Sequence, residues 1–168
     1  MCGICGYYNT KGISESDIEM MNAVLRHRGP DGEGVFIDEA RRAGLGHTRL
    51  AIIDINGGIQ PMANEDKSIW ITFNGEIYNY RELKKKLNGT HCFSTSSDTE
   101  VIIHLYEEMG DKCLQLLRGM FAFAIYDSNR NKILIARDHF GQKPLYYVQD
   151  DSSFAFSSEL KALLQLKP

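Results

Sequence analysis

Apolar residues recur at helical spacing in several segments of the chain. Ser14 and Asp17 form the pattern of a capped helix start, and a predicted helix follows, with Ile18, Met21, Val24 and Leu25 on one face. The pattern ends at Arg28-Gly29-Pro30. Further helices are predicted for residues 80–87, 99–109 and 158–166, and a short one from residue 111.

Shorter runs have the composition of β-strands. They cover residues 4–8, 34–37, 44–48, 50–53, 69–73, 121–126, 133–136, 145–148 and 154–156. In residues 121–126 both alternating sets are largely apolar, and the loop at 127–131 is short enough for a hairpin. The pattern predicts an α+β fold with antiparallel strands buried on both faces. A helix–sheet–sheet–helix sandwich satisfies it, and simpler α+β layers also remain compatible.

Composition points to one globular domain over residues 1–168. The chain is 43% hydrophobic and 24% charged, with a formal net charge of −3. No apolar run approaches the roughly 20 residues of a membrane helix, and the N-terminus lacks the basic region of a signal peptide. Lys and Arg are scattered, apart from residues 84–86. We therefore expect a cytoplasmic protein with neither membrane nor nucleic acid as a partner.

The four cysteines, at positions 2, 5, 92 and 113, form no regular framework, so reduced thiols are expected. Cys2 and Cys5 fit a C-x-x-C pattern, which raises a redox pair or half of a zinc site. No second C-x-x-C or paired histidine follows. The segment continues as an extended run, so Cys5 is predicted to be a core residue of the first strand.

The histidines also lack the spacing of a metal triad, and we expect a structural role for His27, His47, His91, His104 and His139. The sequence therefore predicts no metal site.

Cys2 combines two reactive groups once the initiator Met1 is removed. Its thiolate is a nucleophile, and a free α-amine with a pKa of about 7.7–8 can accept the thiol proton. While Met1 is attached, the amine is blocked. Position alone leaves open a second interpretation, in which Cys2 is an inert, small apolar residue.

Sequence blocks along nearly the whole chain occur together, and in the same order, in one known family. These blocks are C-G-I (2–4), R-H-R-G-P-D-G (26–32), H-T-R-L-A-I-I-D (47–54), F-N-G-E-I-Y-N (73–79), S-D-T-E (97–100), G-M-F-A-F-A (119–124), A-R-D-H-F-G-Q-K-P-L-Y-Y (136–147) and F-S-S-E (156–159). Together they resemble the class II glutamine amidotransferase domain of asparagine synthetases. The resemblance implies the N-terminal-nucleophile hydrolase fold, a four-layer αββα sandwich of two antiparallel sheets between helices.

The resemblance also implies a role for each matching residue. Cys2 would be the nucleophile, and the Asn74 side-chain amide and the Gly75 backbone N–H would form the oxyanion hole. L-glutamine would be held by Arg49 at its α-carboxylate, by Asp98 at its α-ammonium, and by backbone groups at Ile52, Ile53 and Glu76.

Without the resemblance, the same residues have simpler interpretations. Asn74-Gly75 is a strong turn signal after a strand. Arg49 could be a surface or ion-pairing arginine, and Asp98 is a natural helix N-cap. Residues 26–32 follow a helix and contain too few glycines for a phosphate loop, so they are expected to be a structural loop near the catalytic site.

The implied activity is hydrolysis of L-glutamine to glutamate and ammonia, with no cofactor in this domain. Residues 1–168 lack the Ser-Gly-Gly-x-Asp-Ser pyrophosphate loop of the synthetase domain, where ATP and Mg²⁺ are expected. The ammonia acceptor, with aspartate as the first candidate, would bind a synthetase domain in cis or a partner in trans. Two alternatives remain: a catalytically silent glutamine-binding or assembly module, and a Cys2/Cys5 thiol redox protein.

Overall fold

The structure is a computed structural model that describes residues 1–51, 57–87 and 89–166. Its strands are β1 (Gly3–Asn9), β2 (Gly32–Ile37), β3 (Ala43–Arg49), β4 (Met62–Ala63), β5 (Ile69–Ile77), β6 (Gly119–Asp127), β7 (Lys132–Arg137), β8 (Tyr146–Gln149) and β9 (Ser153–Ser157). Its α-helices are α1 (Glu15–Ala23), α2 (Tyr80–Leu87), α3 (Asp98–Met109) and α4 (Leu160–Leu163). The segments Arg26–Arg28 and Gly110–Leu116 are 3-10 helices.

The strands form two antiparallel sheets. Sheet A has the order β2-β3-β1-β9-β8, and sheet B has the order β4-β5-β6-β7. An apolar layer that includes Ile4, Leu45, Ala124 and Phe156 lies between the two sheets. A second apolar cluster joins sheet A to α1 and α4, and a third joins sheet B to α2 and α3. This arrangement confirms the predicted four-layer αββα sandwich.

Strand β6 is buried on both faces, as its two apolar alternating sets predicted. Ala122 and Ala124 face the layer between the sheets, whereas Phe121, Phe123 and Ile125 face the helices. The small alanines allow the sheets to approach closely, and the larger side chains fill the wider space beneath the helices.

A polar link crosses the layer between the sheets. The Thr72 hydroxyl donates to the Gly46 carbonyl at 3.0 Å, so its oxygen accepts from Nδ1 of His47 at 3.2 Å. His47 is fully buried, and its pKa is lowered to about 3 by burial and, to a lesser degree, by the charge of Arg49. His47 is therefore a neutral structural residue, as the sequence predicted.

Several predicted element bounds were wrong. Helix α1 ends at Ala23, and β5 extends to Ile77 because it pairs with the whole of β6. The end of α3 was predicted correctly: Gly110, with φ +57°, ends it, and the short helix expected from residue 111 is a separate 3-10 helix that begins at Gly110. Helix α4 is shorter than predicted, spanning Leu160–Leu163.

The strand predicted at residues 50–53 is absent from the two of these residues that the structure describes. Leu50 and Ala51 lie outside the strands, and Ile52 and Ile53 lie outside the described residues. Among the helices in the described ranges, none is long and apolar enough to cross a bilayer.

Truncating the core between the sheets should be costly. We expect Phe156→Ala to lower the free energy of unfolding by about 3–5 kcal/mol, because Phe156 is fully buried and leaves a cavity. Phe140→Ala, at a side chain that is 91% exposed, should change it by less than about 0.5 kcal/mol. Urea unfolding of both variants measures the difference, and similar losses would contradict this account of the core.

The buried His47 should make stability depend on pH. Between its ordinary pKa of 6.5 and about 3, the unfolded chain binds a proton at this residue and the folded chain does not. The free energy of unfolding should therefore fall as the pH is lowered through this range. The advantage of the wild type over His47→Gln should shrink in the same range, whereas exposed His139→Gln should follow the wild type. Parallel profiles for wild type and His47→Gln would refute the assignment.

Candidate active site

A cleft opens where the end of β3, the start of β1 and the middle of β5 meet. The space inside it, part of which is open solvent, is about 680 Å³. The cleft lining includes six of the site residues predicted from sequence, namely Cys2, Arg49, Asn74, Gly75, Glu76 and Asp98. The predicted contacts at Ile52 and Ile53 lie outside the described residues.

Cys2 is held through both its side chain and its backbone. Its Sγ accepts a hydrogen bond from the Leu50 N–H at 3.3 Å, and its carbonyl accepts one from Arg28 Nε at 3.0 Å. Met1 also lines the cleft and is 54% exposed. The thiol is therefore positioned at the cleft with a backbone N–H donor that can also serve a thiolate.

Arg28, which holds the Cys2 carbonyl, is itself held by the carboxylate of Glu159. Its Nη1 donates to Glu159 at 3.0 Å, and His27 and Lys161 also contact that carboxylate. Burial alone would raise the pKa of Glu159, but hydrogen bonds from these three residues outweigh it and lower the pKa to about 2. The segment that contains Arg26–Arg28 thus lies beside the candidate nucleophile, as expected for a structural loop.

Asn74 and Gly75 lie within strand β5, so the turn interpretation was wrong. They pair with Ala122 and Phe121 of β6. A Cβ atom on Gly75 would collide with the Met120 carbonyl oxygen and lie 2.8 Å from Phe121 Cα. Glycine is required here because the two backbones approach so closely.

The Asn74 side chain presents an unused donor. Asn74 is 2% exposed, and its amide nitrogen has no hydrogen-bond partner in the described part of the chain. Leaving a buried donor unpaired costs about 1–3 kcal/mol, and such groups are uncommon in folded proteins. Because Asn74 lines the cleft, a bound molecule that brings an acceptor oxygen could satisfy this nitrogen.

Asp98 is the first residue of α3, and the N-cap is Ser97, whose Oγ accepts from the Thr99 N–H at 3.2 Å. The N-cap interpretation of Asp98 was therefore wrong. Asp98 Oδ2 instead accepts from the Ile77 N–H at 2.9 Å, which ties α3 to the end of β5. Burial, with a contribution from the charge of Glu76, raises the pKa of Asp98 against the lowering effect of backbone hydrogen bonds.

The charges around the cleft suit a zwitterion. Arg49, at the end of β3, supplies a guanidinium, while Glu76 and Asp98 supply carboxylates. A planar guanidinium can bind both oxygens of a carboxylate, and a carboxylate can accept from an ammonium group. The cleft can therefore bind the α-carboxylate and α-ammonium groups of an amino acid at separate points.

Gln60 and Lys143 are among the cleft residues to which the sequence assigned no role. Gln60, 8% exposed, accepts from the Phe73 N–H at 2.6 Å and donates to Thr99 Oγ1 at 3.4 Å, so it joins β5 to α3. Lys143 is equally buried, and its backbone N–H donates to Asp138 at 3.2 Å. The only signal for Lys143 was its place in the block at residues 136–147, while Gln60 lies in none of the blocks.

Cys5 lies in a different layer from the cleft. It is fully buried in the cluster beneath α1, where its thiol donates to Asn22 Oδ1 at 3.3 Å. Burial raises the pKa of this thiol, which opposes thiolate chemistry. The prediction of Cys5 as a core residue of the first strand is confirmed.

Away from the cleft, the fold brings together two histidines that are distant in sequence. His91 and His104 stack at 4.4 Å between ring centroids, beside Glu65 and Glu107. Sequence spacing did not reveal this group.

The comparisons with known proteins agree on one family. The family model described as a glutamine amidotransferase domain matches residues 1–168. Relatives named as glutamine-hydrolysing asparagine synthetases include one from Bacillus subtilis strain 168, 44% identical over 98% of this chain and 27% of its own length. Another, from Zea mays, is 48% identical over 97% of this chain and 28% of its own length. The chain thus spans less than a third of these two relatives.

Solved structures support the fold. A glutamine phosphoribosylpyrophosphate amidotransferase from B. subtilis superimposes with a TM-score of 0.81 at 23% identity, covering 96% of this chain and 43% of its own. At that identity the likeness concerns the fold, and it agrees with the four-layer sandwich. Taken with the family model and the relatives at 44–48% identity, it leads to one conclusion. The chain belongs to the glutamine amidotransferase domain family and is of the type found in asparagine synthetases.

Proposed function

We propose that this chain hydrolyses L-glutamine to glutamate and ammonia, with Cys2 as the nucleophile and with Asn74 and Gly75 as the oxyanion hole. The observation that carries the proposal is the buried, unpaired Asn74 amide nitrogen in the same cleft as the Cys2 thiol. An oxyanion that forms on attack by the thiol would supply the acceptor that this donor lacks.

Substrate binding uses the charges of the cleft. Arg49 binds the α-carboxylate of glutamine, and Asp98 accepts from its α-ammonium group. Glu76 also binds glutamine through its backbone. Ile52 and Ile53 add further backbone contacts, an assignment that rests on the family resemblance alone. Because these groups hold the amino-acid end, they leave the side-chain amide of glutamine free to reach the sulfur.

The first half of the reaction begins after removal of Met1 has freed the Cys2 α-amine. The amine takes the thiol proton, and the thiolate attacks the amide carbon to form a carbon–sulfur bond. Asn74 and Gly75 donate to the resulting oxyanion. When the intermediate collapses, the carbon–nitrogen bond breaks and the α-ammonium returns its proton to the departing nitrogen. Ammonia leaves, and a glutamyl thioester remains on Cys2.

The second half of the reaction hydrolyses the thioester. The same amine deprotonates a water molecule, which attacks the thioester carbonyl and forms a second oxyanion in the same hole. The carbon–sulfur bond then breaks, glutamate forms, and the thiol regains its proton. These steps use neither a metal ion nor an organic cofactor.

The parent reaction we propose is asparagine synthesis from aspartate, in line with the names of the relatives. ATP and Mg²⁺ would bind a synthetase domain outside residues 1–168, joined in cis or supplied by a partner in trans.

Exposed apolar side chains support a docked neighbour: Tyr147 and Val148 on the edge strand β8 are 64% and 53% exposed, and Leu160 on adjoining α4 is 58% exposed. A reducing cytoplasm would keep the Cys2 thiol active, and we expect neither nucleic acid nor a membrane as a partner.

Replacing the nucleophile should abolish turnover. We expect Cys2→Ala to release no ammonia from glutamine above background, because no sulfur remains to form the thioester. Cys5→Ser is the matched control and should retain substantial activity, since Cys5 lies outside the cleft. Ammonia release is measured together with intact mass, because only chains without Met1 have the free amine.

Equal losses in Cys2→Ala and Cys5→Ser, with both variants folded, would favour the redox alternative. A processed wild-type chain that binds glutamine without releasing ammonia would favour the silent module.

Two variants should separate catalysis from binding. Asn74→Ala should lower kcat by about 10²–10³ with little change in KM, because its donor acts on the oxyanion. Asp98→Asn should instead act mainly by raising KM for glutamine, because it removes the charge that faces the ammonium group. Steady-state kinetics of ammonia release measure both. If Asn74→Ala raised KM at unchanged kcat, the oxyanion assignment would be wrong.

A further inference from the structure

Four potential metal ligands converge on the sheet B side of the molecule. Glu65 lies in the turn between β4 and β5, His91 precedes α3, and His104 and Glu107 lie one turn apart on α3. Their ligand atoms all lie within 4.8 Å of one another. The cluster therefore joins three segments that are far apart along the chain.

The distances in the cluster fit a four-coordinate ion. His104 Nδ1 lies 2.7 Å from Glu107 Oε2 and 3.9 Å from Glu65 Oε2. His91 Nδ1 lies 3.7 Å from Glu107 Oε2 and 4.0 Å from Glu65 Oε1. Metal bonds of about 2.0–2.2 Å in a tetrahedron place neighbouring ligand atoms roughly 3.3–3.6 Å apart. Small side-chain shifts would bring all four atoms to one ion.

Outer contacts orient two of these ligands. His91 Nε2 lies 3.0 Å from Glu108 Oε1, so a proton on Nε2 leaves the Nδ1 lone pair directed into the cluster. Asn64 donates to Glu107 Oε1 at 2.8 Å, which leaves Oε2 for the cluster. A histidine ligand whose other nitrogen donates to a carboxylate is the usual arrangement around protein-bound zinc.

His104 cannot satisfy both of its neighbours as a neutral ring. It is 1% exposed, and its Nε2 has no hydrogen bond within the described ranges, although Glu100 Oε1 lies 3.8 Å away. A proton on Nδ1 serves Glu107 but turns the Nε2 lone pair towards Glu100. A proton on Nε2 turns the Nδ1 lone pair towards Glu107 at 2.7 Å. A cation bound at Nδ1 removes this conflict.

The negative charges around the two histidines also favour a bound cation. The carboxylates of Glu65, Glu107 and Glu108 all lie within 4.0 Å of a histidine nitrogen. One divalent ion among the four ligands neutralises two carboxylates.

We propose that Glu65, His91, His104 and Glu107 form a structural site for a divalent transition metal ion of the zinc type. Mixed imidazole and carboxylate ligands suit such ions, and four protein ligands close the site to substrate. The site revises the sequence-based expectation of no metal, which depended on spacing along the chain. It is separate from the cleft, because His104 lies six positions after Asp98 along α3, about 9 Å of helix.

The test is a titration of the full chain, freed of metal by a chelator, with ZnCl₂ in a calorimeter. We expect one ion per chain and a higher Tm when zinc is present. Glu65→Gln should weaken binding by at least about tenfold and His91→Ala by at least about 100-fold, because replacing a residue that only supports a metal ligand already costs roughly 10–100-fold in affinity. Matched exposed controls, Glu39→Gln and His139→Ala, should bind zinc as the wild type does.

Thiols need a separate control, because Cys92 is exposed next to His91 and Cys2 lines the cleft. The double variant Cys2→Ala/Cys92→Ser should retain full zinc binding, and Co²⁺ added to it should give the visible absorption of a tetrahedral site without thiolate bands. Absence of saturable zinc binding, binding lost only with the thiols, or equal binding by wild type and Glu65→Gln would each overturn the proposal. Glu65 is a surface residue, so its variant decides the question even where His91→Ala fails to fold.

Discussion

The alignment of the two sheets across their shared apolar layer is the constraint on which the cleft depends. Thr72 of sheet B bonds to Gly46 and His47 of sheet A, and these bonds fix how the sheets sit relative to one another. Two residues further along each strand come Asn74 and Arg49. At roughly 3.3 Å per residue, a slip of one position between the sheets would shift Asn74 relative to Arg49 by about that distance. The cleft geometry is thus set by a polar contact inside the core.

Much of the fold could be predicted from local pattern. The periodicity of α2 and α3 and the two apolar sets of β6 are properties of short segments, and the structure bears them out. Predictions failed where residues distant in sequence determine the extent of an element. β5 continues through Asn74-Gly75 because β6 pairs with it along its whole length, whereas the local sequence favours a turn.

The candidate site was also predicted only in part. Six predicted residues meet at the cleft, and the resemblance identified them because their blocks occur in a known order. Gln60 lies in none of these blocks, and Lys143 lies in one but received no role from it; the hydrogen bonds to Phe73 and Asp138 that hold them are visible only in the fold. The histidine–glutamate cluster was missed for the same reason. Its members are 39, 13 and 3 positions from His104 along the chain, so only the fold brings them together.

The hydrogen bonds of Arg28 connect the two ends of the described chain. One guanidinium holds the carbonyl of Cys2 and the carboxylate of Glu159, which directly precedes α4. Helix α4 in turn adjoins β8, where apolar side chains are exposed. A displacement of α4 would therefore be transmitted to the backbone of Cys2 through the side chains of Glu159 and Arg28. The position of the Cys2 backbone in the cleft is therefore tied, over a path of two side chains, to the packing of a surface helix against the edge strand of sheet A.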